Sequence, residues 1–219
     1  MQNTVIFVMD EYITLARPGQ DEVVIQKSRF IGSAWPCSSE EEAQFHIREM
    51  RETFHDARHH CYAYIIGQNA GIIRYSDDGE PSGTAGLPMV NLIRSENLVN
   101  CCVVVTRYFG GILLETGGLV RAYTAGCRIA VERAGIVQMK KTVTILCEVP
   151  YASWDSVRYR LDKLSVQCCE PEYHTAVSFT LKIISTEFEM VLRELEHASG
   201  RTLEYLFVGE DYAPWERKT

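Results

Sequence analysis

Several signatures are missing from this chain of 219 residues, and each absence removes a class of function. No two of its eight cysteines stand in C-x-x-C spacing, so a zinc ribbon or a thioredoxin-like dithiol has no basis. No apolar run approaches the ~18–20 residues of a bilayer span. Runs such as Ile6-Phe7-Val8-Met9 and Val103-Val104-Val105 are far shorter. Val5 to Met9 is too short for a secretory h-region, and Asp10 and Glu11 follow where small residues would stand at a cleavage site. A cytoplasmic chain that avoids membranes is therefore expected. Positive charge is in deficit: 22 Lys+Arg face 29 Asp+Glu, a net charge of −7. That excludes a protein that coats nucleic acid by bulk charge, although a local basic site is compatible with it. There is no Walker loop, no G-x-G-x-x-G, no H-E-x-x-H and no G-x-S-x-G. The sequence calls for no cofactor and no metal.

What is present is a globular chain, with 46% hydrophobic residues to fill a core. Cys37, Cys61, Cys101, Cys102, Cys127, Cys147, Cys168 and Cys169 read mostly as buried reduced thiols. Glu22 to Ile31 reads as one strand leading to Trp35-Pro36. A serine–glutamate capping box opens an amphipathic helix near 39–56, with Ala43, Ile47, Met50 and Phe54 at helical spacing. Cys61–Ile66 and Ile72–Tyr75 make a hairpin, and Thr84 caps a short helix over 85–95. Leu98–Phe109 is almost solidly apolar at Val103 to Val105, which predicts a central strand buried on both faces. Leu119–Ala134 is a helix stopped by Gly135, and Gly126 within it predicts close packing on the sheet.

The second half has a different rhythm. Strands are expected at 142–149, 166–169, 176–184 and 203–208, with helices at 152–164 and 187–197. Thr186 and Glu189 form a second capping box, and the polar tail after Val208 is expected to fray. The order β-α-β-β-α-β is that of a ferredoxin-like domain. The fold class expected is α+β with two domains, 1–138 and 139–219.

Two glycine-rich segments hold the candidate chemistry. In Asp77 to Gly86, the carboxylates Asp77, Asp78 and Glu80 form an acidic cluster suited to a base or a hard cation. In the same segment Ser82, Thr84 and the amides of a helix start suit a phosphate instead, and ordinary turn chemistry explains the same residues. The second segment runs from Thr106 to Tyr123. Its paired glycines Gly110-Gly111 and Gly117-Gly118 permit close backbone approach, and the helix start at Thr116 offers amides to an anion. Arg107 and Arg121 suit phosphate, and Tyr108 and Phe109 suit base stacking. A tight strand-to-helix connection with a structural arginine accounts for that segment equally well. The histidines His46, His55, His59, His60, His174 and His197 show no metal-site spacing, and Arg58-His59-His60 reads as a helix-to-strand boundary.

Lys27 to Ile31, His60-Cys61-Tyr62-Ala63-Tyr64, Ser76 to Gly86, Val105 to Gly111 and Thr116 to Tyr123 together resemble the IMPACT/YigZ family over about residues 20–135. The second half is similar to the small C-terminal domain of its bacterial members. The resemblance implies an Impact N-terminal-like domain, related to a ribosomal-protein and elongation-factor-G fold, followed by a ferredoxin-like domain. It also implies a role in translation control. Eukaryotic members act through an additional N-terminal partner-binding domain. About 20 residues precede the match here, so that activity is not carried over. Two departures stand out: His59-His60 replaces the family's usual His-Asn, and Glu115 replaces a usual glycine and would repel phosphate.

Three functions follow as expectations. The first is a translation-associated binding protein contacting RNA or the ribosome through Arg107, Tyr108, Arg121 and the glycine loops. The second is a hydrolase acting on a phosphate or peptide with Asp77, Asp78 and Glu80. Some relatives carry a proline dipeptidase label, but paired metal-ligand motifs are lacking here. The third is a protein-interaction module with a partner in translation control. The charge split favours the first: residues 1–141 are net −2, residues 142–219 are net −5, and 97–135 carry four arginines against Glu115 and Glu132.

Overall fold

The computed structural model describes residues 9–215, so the readings placed on Val5 to Val8 lie outside the described residues. The chain divides into two compact units, one up to Gln138 with Pro214 onward and the other Met139–Ala213. The architecture is mixed α and β, with two sheets and five α-helices among the described residues.

The first unit runs β1 (Glu11–Leu15), β2 (Gly19–Ile25), β3 (Ser28–Pro36), α1 (Glu40–Thr53), β4 (His59–Ile66), β5 (Ile72–Ser76), α2 (Gly86–Ser95), β6 (Cys101–Tyr108) and α3 (Thr116–Ala134). Five strands form an antiparallel sheet in the order β2-β3-β6-β4-β5. β6 occupies the centre, as its apolar run predicts. A strand with neighbours on both sides and helices on both faces cannot present side chains to water. Cys102 and Val104 meet α1 on one face, where Ala43, Ile47 and Met50 pack. Val103 and Val105 face the other way, into the core built with α2 and α3.

α1 starts as its sequence predicts. Ser39 Oγ accepts from the Glu42 amide at 3.2 Å, and Glu42 Oε2 accepts from the Ser38 amide at 2.6 Å. α3 ends at Gly135, with φ +72°. Gly126 and Gly32 explain how α3 lies so close to the sheet: a Cβ on Gly32 would sit 1.9 Å from the Gly126 carbonyl oxygen.

The single strand read over Glu22–Ile31 is in fact a hairpin, β2–β3. Gln26 (φ +46°) and Lys27 (φ +64°) both turn left-handed between the two strands. A two-residue turn of this hand is normally marked by Asn-Gly or a similar pair, so Gln-Lys hid it.

The second unit contains β7 (Ile136–Val149) from Met139, α4 (Tyr151–Leu161), β8 (Val166–Cys168), β9 (Glu172–Tyr173), β10 (Val177–Ile184), a 3-10 turn at Ser185–Glu187, α5 (Phe188–Ser199) and most of β11 (Glu204–Trp215). β10 pairs antiparallel with β7 and with both β8 and β9, while β11 lies on the other side of β7. Ile145, Cys147, Phe179, Leu181, Val191 and Leu195 share its core. Two local readings are corrected, and one short strand is added. Thr186 does not cap α5, because it lies inside the 3-10 turn and the helix begins after Glu187 with no side-chain cap. β9 has only two residues, too short for a periodic signal. The chain after Val208 does not fray before Trp215: it continues as β11, held by Thr142 Oγ1 donating to the Asp211 carbonyl and by Lys141 paired with Glu210 at 2.8 Å.

Six cysteines are buried thiols, and burial pushes Cys127 and Cys147 up to about 12. Cys168 and Cys169 are exposed, an exception to the buried reading, because β8 is a short strand at the margin of its sheet.

Candidate functional site

The acidic cluster of the β5–α2 loop is dispersed by the fold: its three carboxylates have separate partners. Asp77 turns onto the start of α2, where its Oδ1 accepts from the Ala85 amide at 2.9 Å and the Gly86 amide at 2.8 Å. Its Oδ2 accepts from the Gly83 amide at 2.8 Å. Asp77 therefore caps α2 from nine residues upstream, the role expected of Thr84. The Thr84 hydroxyl donates instead to the Pro81 carbonyl at 2.7 Å, and Ser82 is exposed. The anion site anticipated at this helix start is filled by the protein's own carboxylate. Asp77→Ala is expected to lower stability by about 2 kcal/mol or more, since it strips three amides of a charged acceptor. Asp77→Asn, which keeps an acceptor, should cost less. Urea denaturation midpoints check both.

Asp78 sits in a left-handed turn (φ +43°) and accepts from Arg51 Nη2 and from the His60 amide, each at 2.7 Å. Its own carbonyl accepts from His59 Nδ1 at 2.9 Å, which leaves His59 Nε2 without a proton on the neutral ring. His60 is buried against Thr106 Oγ1, and burial holds its pKa below the ordinary imidazole value.

Glu80 points inward, with its side chain 4% exposed. Its Oε1 accepts from Arg107 Nη1 at 2.7 Å and from the Tyr123 hydroxyl at 2.6 Å. Arg107 is 6% exposed. Its guanidinium lies between the rings of Phe30 at 5.4 Å and Phe109 at 5.8 Å. Ser28 Oγ is 3.5 Å from its Nη2, and among the described residues its Nε has no partner. Arg107 was expected to reach out to a ligand. It serves instead as a buried counter-charge at the base of a cleft, because the strand turns this side chain inward while its neighbour Tyr108 points the other way.

Tyr108 is turned away, its hydroxyl donating to Asp56 at 2.6 Å with Arg29 over its ring. Gly110 is pressed against the β2–β3 turn: a Cβ there would lie 1.9 Å from the Lys27 carbonyl oxygen. Gly111 requires its left-handed φ of +84°.

The two glycine-rich loops nevertheless meet. Between them lies a cleft of about 500 Å³, whose lining includes Arg58, His59, Arg107, Phe109, Glu115 and Thr116. Thr116, Gly117 and Gly118 open α3, and the first backbone bond of that turn is Leu119 to Glu115 at 2.9 Å. Glu115 precedes them without capping them through its side chain, so among the described residues their amides have no partner. Arg121 stands over this start, with Nη1 3.6 Å from the position of a Cβ on Gly117. Of the expected residues, Arg107, Phe109 and Thr116 line this cleft, whereas Gly117, Gly118 and Arg121 lie further along α3 and are not among its lining residues. Ser82, Thr84, Asp77 and Asp78 do not line it. The sequence reading missed Arg58 and His59 as lining residues, since nothing in the boundary string Arg58-His59-His60 says which loop it faces. Among the described residues no group of three or more His, Cys, Asp or Glu is placed to hold a metal ion. No helix among them is long and apolar enough to cross a membrane.

Comparison with known proteins bears on this site. The sequence pattern of the Impact N-terminal domain matches residues 26–131, which include both loops. The IMPACT family member YvyE of Bacillus subtilis is 44% identical over 133 residues, a match spanning 61% of each chain and so less than two thirds of that relative. The IMPACT family member YigZ of Escherichia coli is 31% identical over 208 residues, 92% of this chain and all of that one. A solved structure of a hypothetical protein is similar at a TM-score of 0.58, with 28% identity, over 93% of this chain and all of that one.

Proposed function

The chain belongs to the IMPACT family, and we propose that it is a translation-associated regulatory protein that contacts RNA, free or on the ribosome, through the cleft between its glycine loops. Family membership supports a translation-related regulatory role. The observation that carries RNA contact is the uncapped start of α3 beside the exposed ring of Phe109, flanked by exposed Arg58 and Arg121. Free amides and arginines attract phosphate, and an exposed ring can stack on a base. Residues 1–138 act in this reading as an Impact N-terminal-like domain and 139–219 as a ferredoxin-like one. The strand order β11-β7-β10-β8 supports the latter assignment. The hydrolase reading loses ground because Asp77, Asp78 and Glu80 are each engaged in structural bonds.

Filter retention of short single-stranded RNA and co-sedimentation with ribosomes test the proposal. Binding should weaken as salt rises, and the double variant Arg58→Ala/Arg121→Ala should lose about ten-fold in affinity. Absence of binding to both RNA and ribosomes at low salt would overturn it.

A further inference from the structure

The sheet edges of this protein are unequally protected. An edge strand offers unpaired amides and carbonyls to any other strand, and proteins blunt such edges with charge, proline or brevity. β2 carries Asp21 and Glu22, and β1 and β5 are each five residues long. β8 and β9 have three and two residues, and Glu170 and Pro171 interrupt the edge between them. β11 is different. It is twelve residues long and, among the described residues, pairs with β7 alone. Its stretch Tyr205-Leu206-Phe207-Val208 holds no charge, proline or glycine.

All four of these side chains stand in solvent, from 43% exposed at Tyr205 to 65% at Leu206. Tyr205 leans edge-on against Phe188 at the start of α5, with ring centres 5.9 Å apart, so Tyr205 and Phe207 take the helix side of the sheet. Leu206 and Val208 take its open side, as does the exposed Leu146 of β7 between the buried Ile145 and Cys147. The run presents on the order of 400 Å² of contiguous apolar surface, a size at which a surface patch is commonly functional.

The charges around the run select its partner. Two identical edges meet antiparallel about a two-fold axis normal to the sheet. Residues directly opposite then share a face, so the axis passes through a residue and not between two. With the axis at Phe207, Glu204 faces the partner subunit's Glu210, and like charges oppose each other. With the axis at Leu206, Glu204 faces the partner subunit's Val208 and Tyr205 faces the partner subunit's Phe207. Arg201, just before the strand, then falls level with the partner subunit's Asp211, and the attraction repeats at the other end. The edge is therefore complementary to itself.

We propose that β11 is the interface of a homodimer, in which two copies pair their β11 edges antiparallel with Leu206 at the two-fold axis. At the ordinary apolar share of about 60%, the run implies about 700 Å² buried per copy, near the ~800 Å² of a standard interface. The pairing also satisfies the open edge, which no charge or proline protects.

Sedimentation equilibrium of the full chain tests the proposal. Twice the chain mass is expected at micromolar concentration. Leu206→Lys should return the chain mass with an unchanged far-ultraviolet spectrum, because Leu206 is exposed in the single chain and lysine is a common guard of edge strands. A second measurement does not depend on that variant. In a Cys168→Ser/Cys169→Ser background, which removes the exposed thiols, Leu206→Cys should form a disulfide-linked dimer when oxidised with diamide. Opposed Cα atoms of an antiparallel pair lie about 4.5–5.5 Å apart, within disulfide reach. Val208→Cys should not cross-link, since its two copies lie four steps apart along the strands, about 13 Å. A chain that stays monomeric at every concentration overturns the homodimer and leaves β11 to a strand of a different protein. A dimer that survives Leu206→Lys, or that cross-links equally through Val208→Cys, overturns this interface and its register.

Discussion

Glu80→Ala is expected to cost about 3–5 kcal/mol of folding stability, because it strands the Arg107 guanidinium in the core with its counter-charge gone. Set against a typical total of about 5–15 kcal/mol, that loss puts the first unit near its unfolding threshold. The geometry justifies the size of the effect. Glu80 and Arg107 have side chains 4% and 7% exposed, so water cannot take over the lost bonds, and Tyr123, itself fully buried, loses its acceptor as well. A control separates a coupled pair from two independent residues. The double variant Glu80→Leu/Arg107→Met removes both charges together and should be more stable than Glu80→Ala alone. Chemical denaturation of the parent, Glu80→Ala, Glu80→Leu, Arg107→Met and the double variant checks this, and simple additivity of the two single losses would refute the coupling. Arg107→Ala is accordingly a poor probe of ligand binding, since any lost affinity would be mixed with lost structure. Arg58 and Arg121 are better ones.

Gly32→Ala should be comparably severe. An added Cβ would lie 1.9 Å from the Gly126 carbonyl oxygen and 2.9 Å from its carbon, so backbone meets backbone and no rotamer change relieves it. To accept the methyl, α3 must lift off β3, opening the core around Phe30, Tyr123 and Ala130. We expect loss of soluble folded protein, or a destabilisation of about 3 kcal/mol or more. Gly126→Ala provides the comparison. Its Cβ would first meet Val105 Cγ1 at 3.0 Å, a side chain that can shift, and about 1–3 kcal/mol is expected. A Gly32→Ala protein as stable as the parent would contradict the account of how α3 packs.

The elements that could be read from sequence were those whose signal is local. The apolar run of β6 announced a central strand, because burial on both faces removes the polar alternation of an ordinary strand. The Ser39–Glu42 box and the apolar spacing of α1 lie within a few turns of each other. The hairpin at Gln26-Lys27 was hidden because the residues that force a left-handed turn carry none of the usual turn chemistry. The site divides in the same way. Its glycines could be read as places of close approach, since glycine reports on the backbone it sits in. The destinations of its charged side chains could not. Asp77 reaches an amide nine residues on, and Glu80 reaches partners 27 and 43 residues away. Spacing along a chain says nothing about pairs so distant, so a cluster of three carboxylates resembled a metal or catalytic site and proved to be a cap, a turn brace and a buried counter-ion.

The central place of β6 has a consequence for how the protein is made. β3 and β4 are translated well before the strand that lies between them, which ends at Tyr108. Until then the nascent chain holds two hairpins, β2–β3 and β4–β5, each with an open edge where β6 will later pair. Open edges of this kind recruit other strands. Sheet assembly in the first unit therefore waits on late synthesis, followed by long-range pairing that is intrinsically slow. A chain halted before β6 is released with both hairpin edges bare, so ribosome stalling in that interval would make this protein prone to aggregation.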